Sequence, residues 1–249
     1  MEKDEYRKHF ELEESHWWFK GRRRILLSVL RSRIKVKGAE PLAILDAGCG
    51  AGYNLKMFGR LGTAFGFDHS PDALAYCRRR GLTRIAKADI NALPFRPARF
   101  NLVSLLDVLY HKSISDDVAV LKEIHGLIKA GGHVLVFDNA FKALRSPHDA
   151  VYHSRERYTK KSLKNRLEAA GFRPVRATYF NFSLFPIVFL IRFWQRLRPA
   201  KGGSPQSDLK AAPRLVNGLL YGILRLEAFL SRKISFPWGS SIVILAKKK

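Results

Sequence analysis

The feature that most restricts this chain is a glycine loop, Asp46-Ala47-Gly48-Cys49-Gly50-Ala51-Gly52, set between a short apolar run and a helix-like stretch. Glycines let a backbone turn tightly and let a ligand approach where a Cβ would block it, and such a loop is informative when a strand precedes it and a helix follows. The spacing is G-x-G-x-G, with Tyr53 standing where a dinucleotide fingerprint needs its third glycine. Asp46 lies two residues before the first glycine. An acid there suits a ligand with a cationic amino-acid end and would repel a pyrophosphate.

The pattern around the loop repeats along the chain. Strands are expected at Leu42–Asp46, Ala64–Asp68, Arg84–Ala88, Phe100–Leu106 and His133–Asp138, with helices near Asn54–Leu61, Pro71–Arg80 and Ser115–Ile128 between them. Ser70 can cap the second helix, and Pro71 fits its first turn because the missing N–H costs nothing there. Gly131-Gly132 predicts a sharp turn into the fifth strand, and Thr159–Ala170, stopped by Gly171, reads as a further helix. Arg173–Tyr179 and Ser240–Ala246 complete seven strands. This alternation builds an α/β, doubly wound, mostly parallel sheet. The expected organisation is an N-terminal helical cap over 1–40, a ligand-binding domain over 41–180 plus 239–249, and a basic, apolar helical insertion over 181–238. The insertion contains a Gly/Pro/Ser linker at Pro199–Pro213.

Two further acids stand at strand ends. Asp68 closes the second strand 22 residues after Asp46, the usual distance for a carboxylate that binds both ribose hydroxyls, and Asp89 follows the third strand in Ala88-Asp89-Ile90. Three acids at three successive strand ends around one glycine loop are far more specific than the glycines alone. The segments ILDAGCGAG, GFDHSP, KADINALPF, FNLVSLLDVLYH, KAGGHVLVFD and LEAAGF resemble the class I S-adenosylmethionine-dependent methyltransferases, in particular their small-molecule and lipid-directed branch. The resemblance runs from about Trp17 to Phe180, with a final strand at Ser240–Ala246.

That resemblance implies a Rossmann-like fold and S-adenosyl-L-methionine as cofactor. It puts Asp46 close to the methionine end, with Gly48, Cys49 and Gly50 in the loop that admits the cofactor. Asp68, with His69 beside it, would bind the ribose; Asp89 and Ile90 would recognise the adenine edge; Leu106 and Asp107 would border the cofactor at the fourth strand. His16-Trp17-Trp18-Phe19 resembles a segment that folds over the cofactor, which would bring Trp18 against it; the alternative is that these rings pack the first helix onto the sheet.

A sulfonium methyl is already electrophilic, so the protein mainly aligns the nucleophile and removes a proton where that is needed. His111, just beyond the fourth strand, is the expected base, its alternative being a helix-start or core histidine. Tyr110, His153, Tyr158 and Asn139 are further candidates on the substrate side. The fourth strand is followed by Leu106-Asp107-Val108-Leu109 rather than an N-P-P-Y segment, and no Pro-Cys nucleophile is present, which lowers the expectation of a nucleic-acid acceptor. Cys49 and Cys77 make neither a disulfide framework nor a zinc site, and a reduced, cytoplasmic chain without a metal is expected.

The net charge of +24 is unevenly spread: +4 over 1–40, +3 over 41–140 and +17 over 141–249. Such a field attracts an anionic partner. Leu215, Val216, Leu219, Leu220, Ile223, Leu226, Phe229 and Leu230 recur at helical spacing near Arg225, Arg232 and Lys233, while Phe180–Trp194 is bordered by Arg192, Arg196 and Arg198. Apolar faces edged with arginine suit an anionic membrane surface; a dimer interface and a lid over a greasy pocket are the alternatives. Met1–Glu14 mixes acids and bases and lacks the apolar core of a signal peptide, and Asn181, Ser183 and Pro186 interrupt the longest uncharged stretch. The expectation is a methyltransferase acting on a small-molecule or lipid-like acceptor, at oxygen with carbon as the alternative, cytoplasmic and peripheral at the inner face of the membrane. A tRNA or rRNA methyltransferase, or a non-catalytic membrane-associated binding module, are the alternatives.

Overall fold

The computed structural model describes residues 3–34, 40–197 and 209–249. In chain order the first elements are α1 (Lys3–Leu12), α2 (Trp17–Arg33), β1 (Leu42–Ala47), α3 (Tyr53–Phe58), β2 (Gly62–Asp68), α4 (Pro71–Arg79), β3 (Ile85–Lys87) and β4 (Phe100–Leu106). They are followed by α5 (Asp117–Leu127), β5 (Ile128–Asn139), α6 (Pro147–Val151), α7 (Lys160–Ala169), β6 (Phe172–Phe180), α8 (Phe185–Leu197), α9 (Arg214–Leu230) and β7 (Ser241–Lys248).

The strands form one seven-stranded sheet in the order β3-β2-β1-β4-β5-β7-β6. Strands β1 to β5 pair in parallel, and β7 runs antiparallel to both β5 and β6. The sheet is thus mostly parallel and seven-stranded, as the alternation predicts. From β1 the chain builds outward through β2 to β3, then returns to lay β4 on the other side of β1. The strand order reverses there, and at such a reversal the loops leaving neighbouring strands part and open a crevice at their carboxyl ends.

Successive strand residues alternate between two packed faces. Leu45, Val103, Val134, Val136, Ile242 and Ile244 pack under α5 and α7, whereas Ile44, Leu102, Leu135, Val243 and Leu245 face Ile25, Leu26 and Val29 of α2 and Leu224 and Ala228 of α9. The second face is therefore covered jointly by α2 and by α9, which lies between β6 and β7. Gly21 permits this: a Cβ there would lie 2.4 Å from Leu224 Cδ1. The join is also polar, with Ser28 Oγ donating to Ala228 O at 2.6 Å and the Trp17 N–H donating to Asn217 Oδ1 at 2.7 Å.

Three local expectations are corrected. Gly131-Gly132 does not start a new strand after a turn; β5 runs on from Ile128, and residues 129–132 bulge opposite the single Asn101, with Gly131 at φ +73°. The glycines are used, but by a bulge inside a strand. β3 is an edge strand and shorter than expected, so Asp89 lies beyond it in a loop, where its Oδ1 accepts from the N–H and side-chain amide of Asn91, both at 2.9 Å. Helix α5 stops at Leu127, because Ile128 already pairs with Phe100. The linker expected at 199–213 lies largely outside the described residues, as does Arg198.

Candidate functional site

A cavity of about 790 Å³ opens at the carboxyl ends of β1, β2 and β4, where the strand order reverses. Its floor is the glycine loop. Gly48, Gly50 and Gly52 all have positive φ, +73°, +55° and +83°, which explains why glycine recurs at every second position. The loop is held by β2: the N–H groups of Gly48 and Cys49 both donate to Phe67 O at 2.9 Å. A Cβ on Gly50 would meet nothing within 4 Å, so the space beside its backbone is open.

Asp68 ties the loop to the start of α4. Its Oδ2 accepts from Gly50 N and its Oδ1 from Ser70 N, each at 2.9 Å, and the carboxylate lines the cavity. Each oxygen keeps a second lone pair, because an ionised carboxylate offers about four acceptor sites. Burial raises the proton affinity of Asp68, and the two N–H groups oppose that shift. His69, Asp89, Ile90, Leu106 and Trp18 line the same cavity as Gly48, Cys49 and Gly50. The structure thus brings together nine of the ten cofactor-side residues singled out from the sequence. Cys49 has its Sγ 3.9 Å from that of Cys77; the contact with Cys77 and burial push its thiol up, which suits packing rather than nucleophilic chemistry.

Asp46 is the tenth, and it is placed differently. It is 1% exposed and lies beneath the loop without lining the cavity, paired across β1 and β4 by Ser104 Oγ, which donates to its Oδ1 at 2.6 Å. Its Oδ2 has no hydrogen-bond partner among the described residues, and burial pushes the carboxyl up to about 7. Asp46 therefore acts as a support of the loop in this conformation.

The catalytic expectation also changes. The His111 ring lines the cavity, but its Nδ1 accepts from Ser113 N at 3.2 Å and lies 2.8 Å from Ser113 Oγ. A backbone N–H can only donate, so Nδ1 carries the lone pair and Nε2 carries the hydrogen. Burial, helped by neighbouring positive groups and His153, pushes this imidazole down to about 4. His111 is a neutral donor here, and its only accepting nitrogen is occupied. Tyr158 is fully buried with its hydroxyl on Asp117 Oδ2 at 3.0 Å, a packing role rather than one on the substrate side. Tyr110 and Asn139 line the cavity, whereas His153 sits behind His111 with ring centroids 5.7 Å apart.

Arg22 and Asn54 are among the lining residues that the sequence reading missed. Arg22 of α2 is buried and forms a short ion pair with Asp107, which holds φ +60° just after β4. The signal existed: Arg22 falls three and four residues before Ile25 and Leu26, on the helix face that packs on the sheet. Three consecutive arginines, Arg22 to Arg24, hid which one turns inward. Asn54, at the start of α3, lines the cavity with its Oδ1 unpartnered among the described residues. All four residues of His16-Trp17-Trp18-Phe19 also line it; Trp18 packs against Phe180 at 5.3 Å between ring centroids. The same residues therefore pack the first helices and wall the cavity.

Comparison with known proteins agrees with this geometry. A family described as "Methyltransferase domain" matches residues 45–136, the span from the end of β1 through β5. An S-adenosylmethionine-dependent methyltransferase from Mesorhizobium loti superposes with a TM-score of 0.58 at 17% identity, covering 90% of this chain and 98% of that one. The [4+2]-cyclase SpnF superposes with a TM-score of 0.55 at 18% identity, covering 90% of this chain and 81% of that one. At such identities the likeness is one of fold, and a fold hosts more than one chemistry. An uncharacterised protein of Mycobacterium tuberculosis is 28% identical over 139 residues, 53% of this chain and 47% of the relative. The chain spans about half the length of the curated relatives it matches. Taken with the glycine loop and Asp68 on one cavity, the match shows that residues 45–136 form a methyltransferase domain, set in a sheet that has the fold of S-adenosylmethionine-dependent methyltransferases.

Proposed function

We propose that the chain transfers the methyl group of S-adenosylmethionine to a small-molecule or lipid-like acceptor, at oxygen. The observation that carries this reading is the Asp68 carboxylate, oriented by Gly50 N and Ser70 N at the cavity edge with a free lone pair on each oxygen for the two ribose hydroxyls. The open space beside Gly50 and the unpartnered Asn54 Oδ1 fit the rest of the same ligand. When bound, the cofactor supplies an electrophilic methyl on a sulfonium.

The chain's own residues then position and deprotonate the acceptor. Trp18 and Val188 wall the cavity with apolar surface and Ile191 extends it to the rim, which suits an apolar acceptor. Asp107 lines the cavity with its side chain 27% exposed, and burial raises its proton affinity against the opposing pull of Arg22. It takes the place expected for His111 as acceptor of the hydroxyl proton, and Arg22 fixes its orientation. Loss of that proton to Asp107 would leave an electron pair on the acceptor oxygen, directed at the methyl group that the bound cofactor would supply. A lipid-like acceptor makes an anionic membrane surface the natural partner, with the protein cytoplasmic and peripheral.

Asp68→Ala tests the cofactor site: binding of S-adenosylhomocysteine should weaken by about 1–3 kcal/mol, the scale of losing hydrogen bonds to a charged group. Equal affinity in calorimetry removes Asp68 from the site. Incubation with methyl-labelled cofactor and a cell extract, followed by separation into lipid, RNA and small-molecule pools, tests the acceptor. Label in the lipid or small-molecule pool is the expected outcome, and label confined to RNA replaces this reading with an RNA methyltransferase.

A further inference from the structure

Helix α8 has two faces of different use. Val188 and Arg192 share one half-buried side and line the cavity, and Ile191, 50% exposed, lies at its rim between the two sides. Ile187, Leu190, Phe193 and Trp194 fall on the other side, each 48–58% exposed. In α9 the side opposite buried Leu224 and Ala228 carries Leu215, Leu219, Leu226 and Phe229, each at least 60% exposed. Scattered exposed leucines are ordinary, but eight large apolar side chains aligned on the outer faces of two successive helices are not.

Charge selects what covers them. Residues 181–238 hold nine Lys and Arg against two Asp and Glu. One of those two, Glu227, is 2% exposed and accepts from the N–H groups of Phe182 and Ser183 ahead of α8, so it adds little negative field outside. Arg214, Arg225, Arg232 and Lys233 are exposed on or beside α9. A second copy of the chain would bring the same +24 and be repelled. RNA would neutralise the charge yet leave the apolar faces in water. An anionic bilayer uses both, since apolar burial and attraction to acidic headgroups add. Neither α8 nor α9 is long and apolar enough to cross a membrane, so the contact is interfacial.

We propose that the outer faces of α8 and α9 dock on an anionic lipid bilayer, and that the methyl acceptor is an amphiphile taken from that bilayer into the cavity beneath α8. The docking surface stands by itself; the identity of the amphiphile as a methyl acceptor rests on the function proposed above. Removing the insertion is not a fair test, because Leu224 and Ala228 belong to the core.

The test is flotation of the full chain with phosphatidylcholine vesicles made with and without phosphatidylglycerol, alongside a variant carrying Leu190→Glu, Phe193→Glu, Leu219→Glu and Leu226→Glu. The wild type should float with the anionic vesicles, and the variant about tenfold less at equal lipid, because apolar burial is replaced by like-charge repulsion. S-adenosylhomocysteine affinity, measured by calorimetry on the same samples, should be equal, showing that the variant is folded. Equal flotation of the two proteins overturns the proposal, and so does a wild type that ignores vesicles and co-sediments with total RNA. A dimer that the variant dissolves, without vesicle binding in either protein, overturns it as well. Flotation without S-adenosylhomocysteine binding upholds the docking surface and sinks the methyltransferase reading instead. In the labelled reaction run on vesicles of extracted membrane lipid, label in the organic phase supports the bilayer-derived acceptor, and label only in the aqueous phase overturns it.

Discussion

Asp46 shows that an acid's chemistry depends on what surrounds it as much as on its place in a motif. Its burial at the end of β1 pushes the carboxyl up to about 7, against an ordinary value of 3.8. In the interval between those values the folded chain keeps a proton that the unfolded chain has released. Stability from this group is therefore full below about pH 3.8 and is lost as pH rises toward about 7. Asp46→Asn keeps an acceptor for Ser104 and removes the titration, so its thermal midpoint should gain on the wild type as pH is raised through that interval. Parallel curves would place the buried proton elsewhere. A second comparison separates the two candidates for proton removal. His111→Ala should leave turnover within about threefold, whereas Asp107→Asn should lower it by about 10²–10⁴-fold, the range of a general base, with S-adenosylhomocysteine affinity kept. Because burial raises the Asp107 proton affinity, wild-type turnover should fall as pH drops through a value above 3.8. The reverse ranking of the two variants would restore His111.

At the scale of elements, the pairing of α2 with α9 is what joins the cavity wall to the remainder of the sheet. Asn217 of α9 accepts from Trp17 N at 2.7 Å and donates to Ser15 O at 3.1 Å, so a residue 200 positions away caps the helix that carries Trp18 and Arg22. His16 does the same locally, accepting from Trp18 N while its other ring nitrogen lies 3.1 Å from Lys210 O. Gly21 is the narrow point of this pairing. Alanine is about 1 kcal/mol better than glycine inside an isolated helix. Here its Cβ would lie 2.4 Å from Leu224 Cδ1 and 2.8 Å from Leu224 Cβ, and overpacking of this kind costs about 1–3 kcal/mol. Gly21→Ala should therefore lower the unfolding free energy in denaturant titration, and Leu224→Ala in the same chain should recover part of that steric loss. A more stable single variant would show that α2 and α9 sit farther apart.

For the whole molecule, the cavity lies between two bodies of chain that are far apart in sequence. The strand ends supply its floor, and α1, α2 and α8 supply its walls through residues such as Tyr6, Trp18 and Val188. A ligand that binds only this closed arrangement stabilises it by mass action, about 2.7 kcal/mol at a hundredfold excess over Kd. S-adenosylhomocysteine should accordingly slow amide exchange in α1 and α2 as well as in the glycine loop. Protection confined to the loop would mean that the N-terminal helices do not close over the cofactor.

Local signals carried much of this arrangement. The strands β1, β2, β4 and β5 were readable because a parallel sheet covered on both faces writes continuous apolar runs between helix signals, the antiparallel β7 was readable from its β-branched residues, and Ser70-Pro71 does cap α4. The glycine loop and Asp68 were readable because positive φ favours glycine at each turn of the loop and because Asp68 ends an apolar strand at a regular distance from Asp46. What sequence proximity could not supply is everything that depends on which surfaces meet. The inward turn of Arg22 onto Asp107, the capping of α2 by Asn217 and the burial of Asp46 away from the cavity are contacts between residues 58 to 200 positions apart. Their energies come from packing and desolvation, which exist only once the sheet has closed. The same holds for His111: its type and position suggested a base, and a neighbouring backbone N–H made it a donor.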